Sequence, residues 1–104
     1  MKDIAYIINK LNNKIKSVFS NFNGIYLYGS YANNTQTETS DIDIVAIFEN
    51  TLNHNDRLQL WTIIGELELE LDISLDLHPM SKKDLMQNEI YHNQVVNKGV
   101  FYGV

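Results

Sequence analysis

Gly29-Ser30-Tyr31-Ala32-Asn33-Asn34-Thr35-Gln36-Thr37-Glu38-Thr39-Ser40-Asp41-Ile42-Asp43-Ile44 decides the fold of this chain. The apolar, β-rich run Ile25-Tyr26-Leu27-Tyr28 leads into it and reads as a strand ending on a Gly-Ser turn. A polar loop follows, and Asp41 opens a second strand. Residues i and i+2 of a strand face the same way, so Asp41 and Asp43 project together while Ile42 and Ile44 enter a core. Two carboxylates that close repel unless a cation lies between them or one is protonated. Beside a turn that can cradle phosphate, such an oxygen-rich site suits Mg²⁺ and a nucleoside triphosphate.

Upstream, Ile4, Ile7, Ile8, Leu11, Ile15 and Val18 recur at helical spacing and predict an amphipathic helix over residues 3–19. Asn21, Asn23 and Gly24 end it, and the first strand runs from Ile25 to Tyr28, apolar on both faces as a central strand is. Downstream, the second strand spans Asp41 to Phe48 and a polar loop Glu49 to Asn55. Asp56 is the expected cap of a second helix with Leu60, Ile64, Leu67 and Leu71 inward. The run Glu66-Leu67-Glu68-Leu69-Glu70-Leu71 alternates as a half-buried strand does, yet the helical spacing continues from Leu60, so the helix is expected to reach about Leu69.

A third strand is expected from Ile73 to His78, stopped by Pro79. Ser81-Lys82-Lys83-Asp84 starts a helix, and a last helix runs from Glu89 through Asn97 to Gly99. Val100, Phe101 and Tyr102 then return toward the sheet or the core. These elements predict an α/β (α+β) fold, a small mixed β-sheet with helices packed on one side, in a single domain over residues 1–104.

A chain of 104 residues has no room for a second substrate-binding domain. Its formal net charge of −5 argues against autonomous nucleic-acid binding and suits a cation or a basic protein partner. With no cysteine, thiolate metal sites and cysteine nucleophiles are excluded. Met1-Lys2-Asp3 does not open a signal peptide, and no apolar run reaches the roughly 18 residues of a membrane span. A soluble, cytoplasmic protein is expected.

Metal ions bridging triphosphate oxygens need ligands from more than one side, which calls for a third carboxylate. Asp76 lies within the third strand, opposite in facing to Leu75 and Leu77; Asp72 shares its parity but sits at or before the strand's start. The plainer reading of either is an edge-strand charge that deters aggregation. In the chemical reading, Gly29 admits phosphate to the backbone and Ser30 offers a hydroxyl and an N–H to the β/γ-phosphates. Asp41 and Asp43 hold Mg²⁺, and Asp76 completes the second metal's shell and assists deprotonation of an incoming hydroxyl. The reaction is then in-line attack at the α-phosphorus with pyrophosphate leaving.

Gly29-Ser30-x-Ala32 followed by Ser40-Asp41-Ile42-Asp43 closely resembles the signature of the nucleotidyltransferase superfamily with the polymerase β-type fold. The short chain resembles its minimal (MNT, MntA-like) members, commonly the antitoxin half of HEPN/MNT toxin–antitoxin pairs. Asp76 to Leu85 is similar to the family's third-aspartate strand and following turn, and Asn93 to Tyr102 to its closing helix and Gly-aromatic tail. The resemblance implies catalytic, metal-binding Asp41, Asp43 and Asp76, and nucleotide-binding Gly29, Ser30 and Ser40. It also implies two Mg²⁺ ions, ATP as substrate, and transfer of AMP to a tyrosine of a HEPN-type RNase toxin. One departure stands out: family members usually carry Arg-Gly where this chain has Asn33-Asn34. Asn34 tolerates the positive φ that Gly would supply, whereas Asn33 removes a cation.

Two other functions stay open at this stage. One is a binding antitoxin that acts by occlusion with a relict site, a reading kept alive by Asn33. The other is a small-molecule nucleotidyltransferase resembling aminoglycoside-modifying enzymes. Because so small a domain cannot easily enclose nucleotide and acceptor together, a homo- or hetero-oligomer is expected to supply the missing wall. His54, His78 and His92 share no metal-ligand spacing, and His78 reads as a turn histidine near the site. Tyr26, Tyr28 and Tyr31 are expected to make core and edge contacts, with base stacking by Tyr31 the alternative, Trp61 to lie in the core or an interface, and Lys82 and Lys83 in solvent.

Overall fold

The computed structural model describes residues 3–33, 35–37 and 41–104. Four strands form one mixed sheet in the order β3-β2-β1-β4. β1 (Phe22–Tyr28) is central and antiparallel to both β2 (Ile42–Phe48) and β4 (Val100–Gly103). β3 (Leu75–Ser81) lies parallel to β2 at the sheet's edge. A parallel pair needs a long crossover, and α3 (His54–Leu71) is that crossover.

α1 (Ile4–Val18) and α3 cover one face of the sheet. Ile7, Ile8, Leu11 and Ile15 from α1, with Leu60, Ile63, Ile64 and Leu67 from α3, are buried against Phe22, Ile25, Leu27, Ile42, Ile44 and Phe48. The sequence reading put helices on one side, and the two long ones are there. A thinner cover lies on the other face: Leu85 of α4 (Lys82–Gln87) and Val95 of the C-terminal helical segment pack on Val45 and Ile47. That segment starts as α5 (Glu89–Tyr91) and continues as a π-helical stretch, His92–Asn97.

Several boundaries differ from expectation, three of them for a reason visible in the packing or hydrogen bonding. β1 begins at Phe22, not Ile25, because Phe22 is fully buried and pairs with Phe48, with a register shift absorbed before Gly24. The cap of α3 is Asn53, whose side chain accepts the Asp56 N–H at 2.8 Å; Asp56 sits in the first turn instead. β3 passes straight through Pro79 to Ser81. An edge strand needs no N–H on its outer side, so proline is tolerated there. Ser81 then caps α4, accepting the Asp84 N–H at 3.1 Å, at the expected helix start. Among the described residues, no helix is long and apolar enough to cross a membrane.

Candidate active site

The site lies on the face opposite α1 and α3. By strand alternation β2 turns Asp43, Val45 and Ile47 to that face, β1 turns Tyr26 and Tyr28, and β3 turns Asp76, His78 and Met80. The register sets Tyr28 opposite Asp43 and Asp43 opposite Asp76, a row across three strands at one end of the sheet. Asp41 stands exposed just before β2, with the parity of Asp43.

Gly29 turns the chain directly over this row. Its φ is +72°, a conformation costly to any residue with a Cβ, and a Cβ there would run into the Asp43 carboxylate. Ser30 opens the single helical turn α2 (Ser30–Asn33). The Asn33 N–H donates to the Gly29 carbonyl at 3.1 Å and the Thr35 N–H to the Ser30 carbonyl at 2.9 Å. Those bonds hold the turn with the Ser30 side chain half-exposed. Ser40 and Asn34 lie outside the described residues.

Of the two candidates for a third carboxylate, Asp76 occupies the strand position beside Asp43. Asp72 caps α3 in the left-handed conformation, φ 52°, outside β3. Burial first, and then the neighbouring Asp76 carboxylate, push the Asp43 carboxyl above its usual pKa. Asp41 adds to the upward push and His78 opposes it. The Tyr28 hydroxyl is likewise pushed up, by burial and then by Tyr91, Asp43 and Asp76.

Strand pairing also brought in a residue that sequence reading set aside. His78 lies in β3 rather than in a turn, with Nε2 3.1 Å from Asp76 Oδ1 and its ring 6.3 Å from that of Tyr91. Its parity with Asp76 was the available signal; nothing in the sequence pointed to Tyr91. Tyr31 packs on the main core, while Tyr26 packs with Phe101, ring centres 4.8 Å apart.

Among the described residues, no three His, Asp or Glu side chains enclose a common ion position. Asp43 and Asp76 meet, and Asp41 is the nearby third acid. The donor set nonetheless fits a hard divalent cation. It is rich in carboxylate oxygen, and the repulsion that Asp76 exerts on the Asp43 carboxylate is what a bound cation would relieve.

This coupling has a measurable consequence in metal-free protein. A carboxyl whose folded pKa exceeds its unfolded value binds its proton more tightly when folded. Its contribution is fully present below the unfolded pKa and is lost as pH rises through the folded one. Asp43→Asn, permanently neutral, is therefore expected to match the wild type in acid and to melt higher at neutral pH. Thermal melts across pH with chelator check this; equal melting temperatures at pH 7 would contradict it.

Neighbouring carboxylates beside a turn where only glycine fits agree with the nucleotidyltransferase class. The chain belongs to the polymerase β-type nucleotidyltransferase family: the family model described as "Polymerase beta, Nucleotidyltransferase" matches residues 9–98. A Methanocaldococcus jannaschii protein named as a protein adenylyltransferase is 33% identical over 100 residues, covering 96% of this chain and 90% of the relative. A crystal structure of a toxin–antitoxin with AMP-PNP superposes with a TM-score of 0.66 at 29% identity, over 92% of this chain and 73% of the other. A structure of tri-AMPylated Shewanella oneidensis HEPN toxin in complex with MNT antitoxin gives 0.61 at 25% identity, over 96% and 72%.

Proposed function

We propose that the protein transfers AMP from ATP to a tyrosine hydroxyl of a HEPN-type RNase toxin and so acts as its antitoxin in the cytoplasm. One observation carries the reading: Asp43 and Asp76 lie side by side under the Gly29 turn. The similarity to toxin–antitoxin structures, one with AMP-PNP and one with an AMPylated toxin, supports it. Asp41, Asp43 and Asp76 would hold Mg²⁺, which when bound would supply positive charge against the triphosphate and the leaving pyrophosphate. Gly29 lets backbone approach the phosphates, and Ser30 and Ser40 offer hydroxyls to them. Asp76, held by His78, takes the proton as the acceptor oxygen bonds to the α-phosphorus and the bond to pyrophosphate breaks.

Asp41 and Asp76 are exposed, which leaves the acceptor side of the row open to a protein surface. The test combines purified protein, α-labelled ATP, Mg²⁺ and the HEPN-type product of the adjacent gene. AMP label on that product, with loss of its RNase activity, is the expected result. Inhibition without label would mark a binding antitoxin instead. Label on an aminoglycoside with no partner present would mark a small-molecule enzyme.

A further inference from the structure

The outward face of α3 is apolar where a solvated helix face is polar. Leu60, Ile63, Ile64 and Leu67 are buried beneath the helix. On its opposite side Leu58, Trp61, Gly65 and Leu69 fall within an arc of about 80°, at roughly 100° per residue. Leu58, Trp61 and Leu69 are 53%, 43% and 87% exposed. A Cβ at Gly65 would meet nothing within 4 Å, so the helix backbone is open there, a notch between Trp61 and Leu69.

The borders of this stripe are charged unevenly. Arg57 and Gln59 flank its N-terminal half, Glu68 and Glu66 its C-terminal half; Arg57 and Glu68 share one border, Gln59 and Glu66 the other. Two of these side chains are anchored from within the fold. Arg57 Nε donates to the Leu52 carbonyl at 3.4 Å, and Glu68 Oε2 accepts the Leu75 N–H at 2.9 Å.

We propose that this stripe is a homodimer interface, with α3 packed antiparallel on α3 of a second copy about a two-fold axis at mid-helix. That operation sets Trp61 over the partner's Gly65 and Leu58 against the partner's Leu69. It also sets Arg57 beside the partner's Glu68 and Gln59 beside the partner's Glu66. A parallel copy would stack acid on acid, so charge selects the antiparallel arrangement. This border complementarity points to a second copy rather than to an arbitrary apolar cover, and it works against the repulsion between two chains of net charge −5. The carboxylate row is on the far face of the sheet, so dimerisation leaves both sites open.

Trp61 is the only tryptophan, and its emission reports the interface directly. Sedimentation of the intact protein is expected to give a concentration-dependent dimer, with Trp61 emission shifting to the blue as it forms. Leu69→Lys, at a solvent-facing position, weakens the dimer roughly tenfold or more. Gln59→Lys, which brings a cation beside the partner's Glu66, tightens it. A protein that stays monomeric with unchanged Trp61 emission overturns the proposal. So does a dimer indifferent to both substitutions, or a HEPN-type protein that shields Trp61 while the chain alone remains a monomer. Because the carboxylates lie elsewhere, AMP transfer by Leu69→Lys tests the two proposals separately.

Discussion

Replacing Asp41 and Asp43 together by Asn is expected to lower transfer of label from ATP by roughly 10³-fold or more and to leave the chain folded. The amides keep the shape of both side chains but lack the negative charge that would hold Mg²⁺ against the triphosphate. Folding survives because Asp41 is exposed and because removing the Asp43 charge relieves its repulsion with Asp76. The same assay separates the two candidate third acids. Asp76→Asn loses the proton acceptor of the proposed reaction and is expected to slow it by about 10²- to 10⁴-fold. Asp72→Asn touches only the cap of α3 and is expected to retain near wild-type rates. Initial rates at matched melting temperature decide the matter; a loss in the Asp72 variant equal to that in the Asp76 variant would defeat the assignment.

Much of this was legible in the sequence because short-range patterns set it. The helical spacing in α1 and the Gly-Ser and Asp-x-Asp elements each announce their conformation within a few residues. The partnership of Asp43 with Asp76 was a weaker inference, since it depends on β2 and β3 pairing in parallel across the whole of α3. The run from Glu66 to Leu71 is helical, as its spacing from Leu60 indicated, and its strand-like alternation has a reason now visible. Leu67 and Leu71 turn toward the core while Leu69 is among the outward apolar residues, so a helix apolar on two sides imitates a strand. Pro79 was read as a stop because its missing donor was judged without knowing that β3 is an edge. His78 was within the expected strand and shares the parity of Asp76, but its contact with that carboxylate is a side-chain placement that strand parity alone does not fix.

Gly29→Ala is expected to damage stability and catalysis together, and the two losses have separate causes. At φ +72° an alanine pays about 1–2 kcal/mol of backbone strain. Its methyl must also displace the Asp43 carboxylate, with Asp43 Cγ 3.0 Å and Cβ 3.2 Å from the new atom. β2 fixes the Asp43 backbone against Tyr28 and Asp76, so the side chain cannot yield without leaving the row. Misplacing a reacting group by this amount costs roughly 10²-fold in rate. Gly65→Ala is the matched control: it adds the same methyl in open space within a helix, where alanine is favoured by up to about 1 kcal/mol. Rates measured well below both melting temperatures separate the effects. If Gly29→Ala melts early yet transfers AMP at full speed, the turn serves folding alone, and the close fit between its backbone and Asp43 has no part in catalysis.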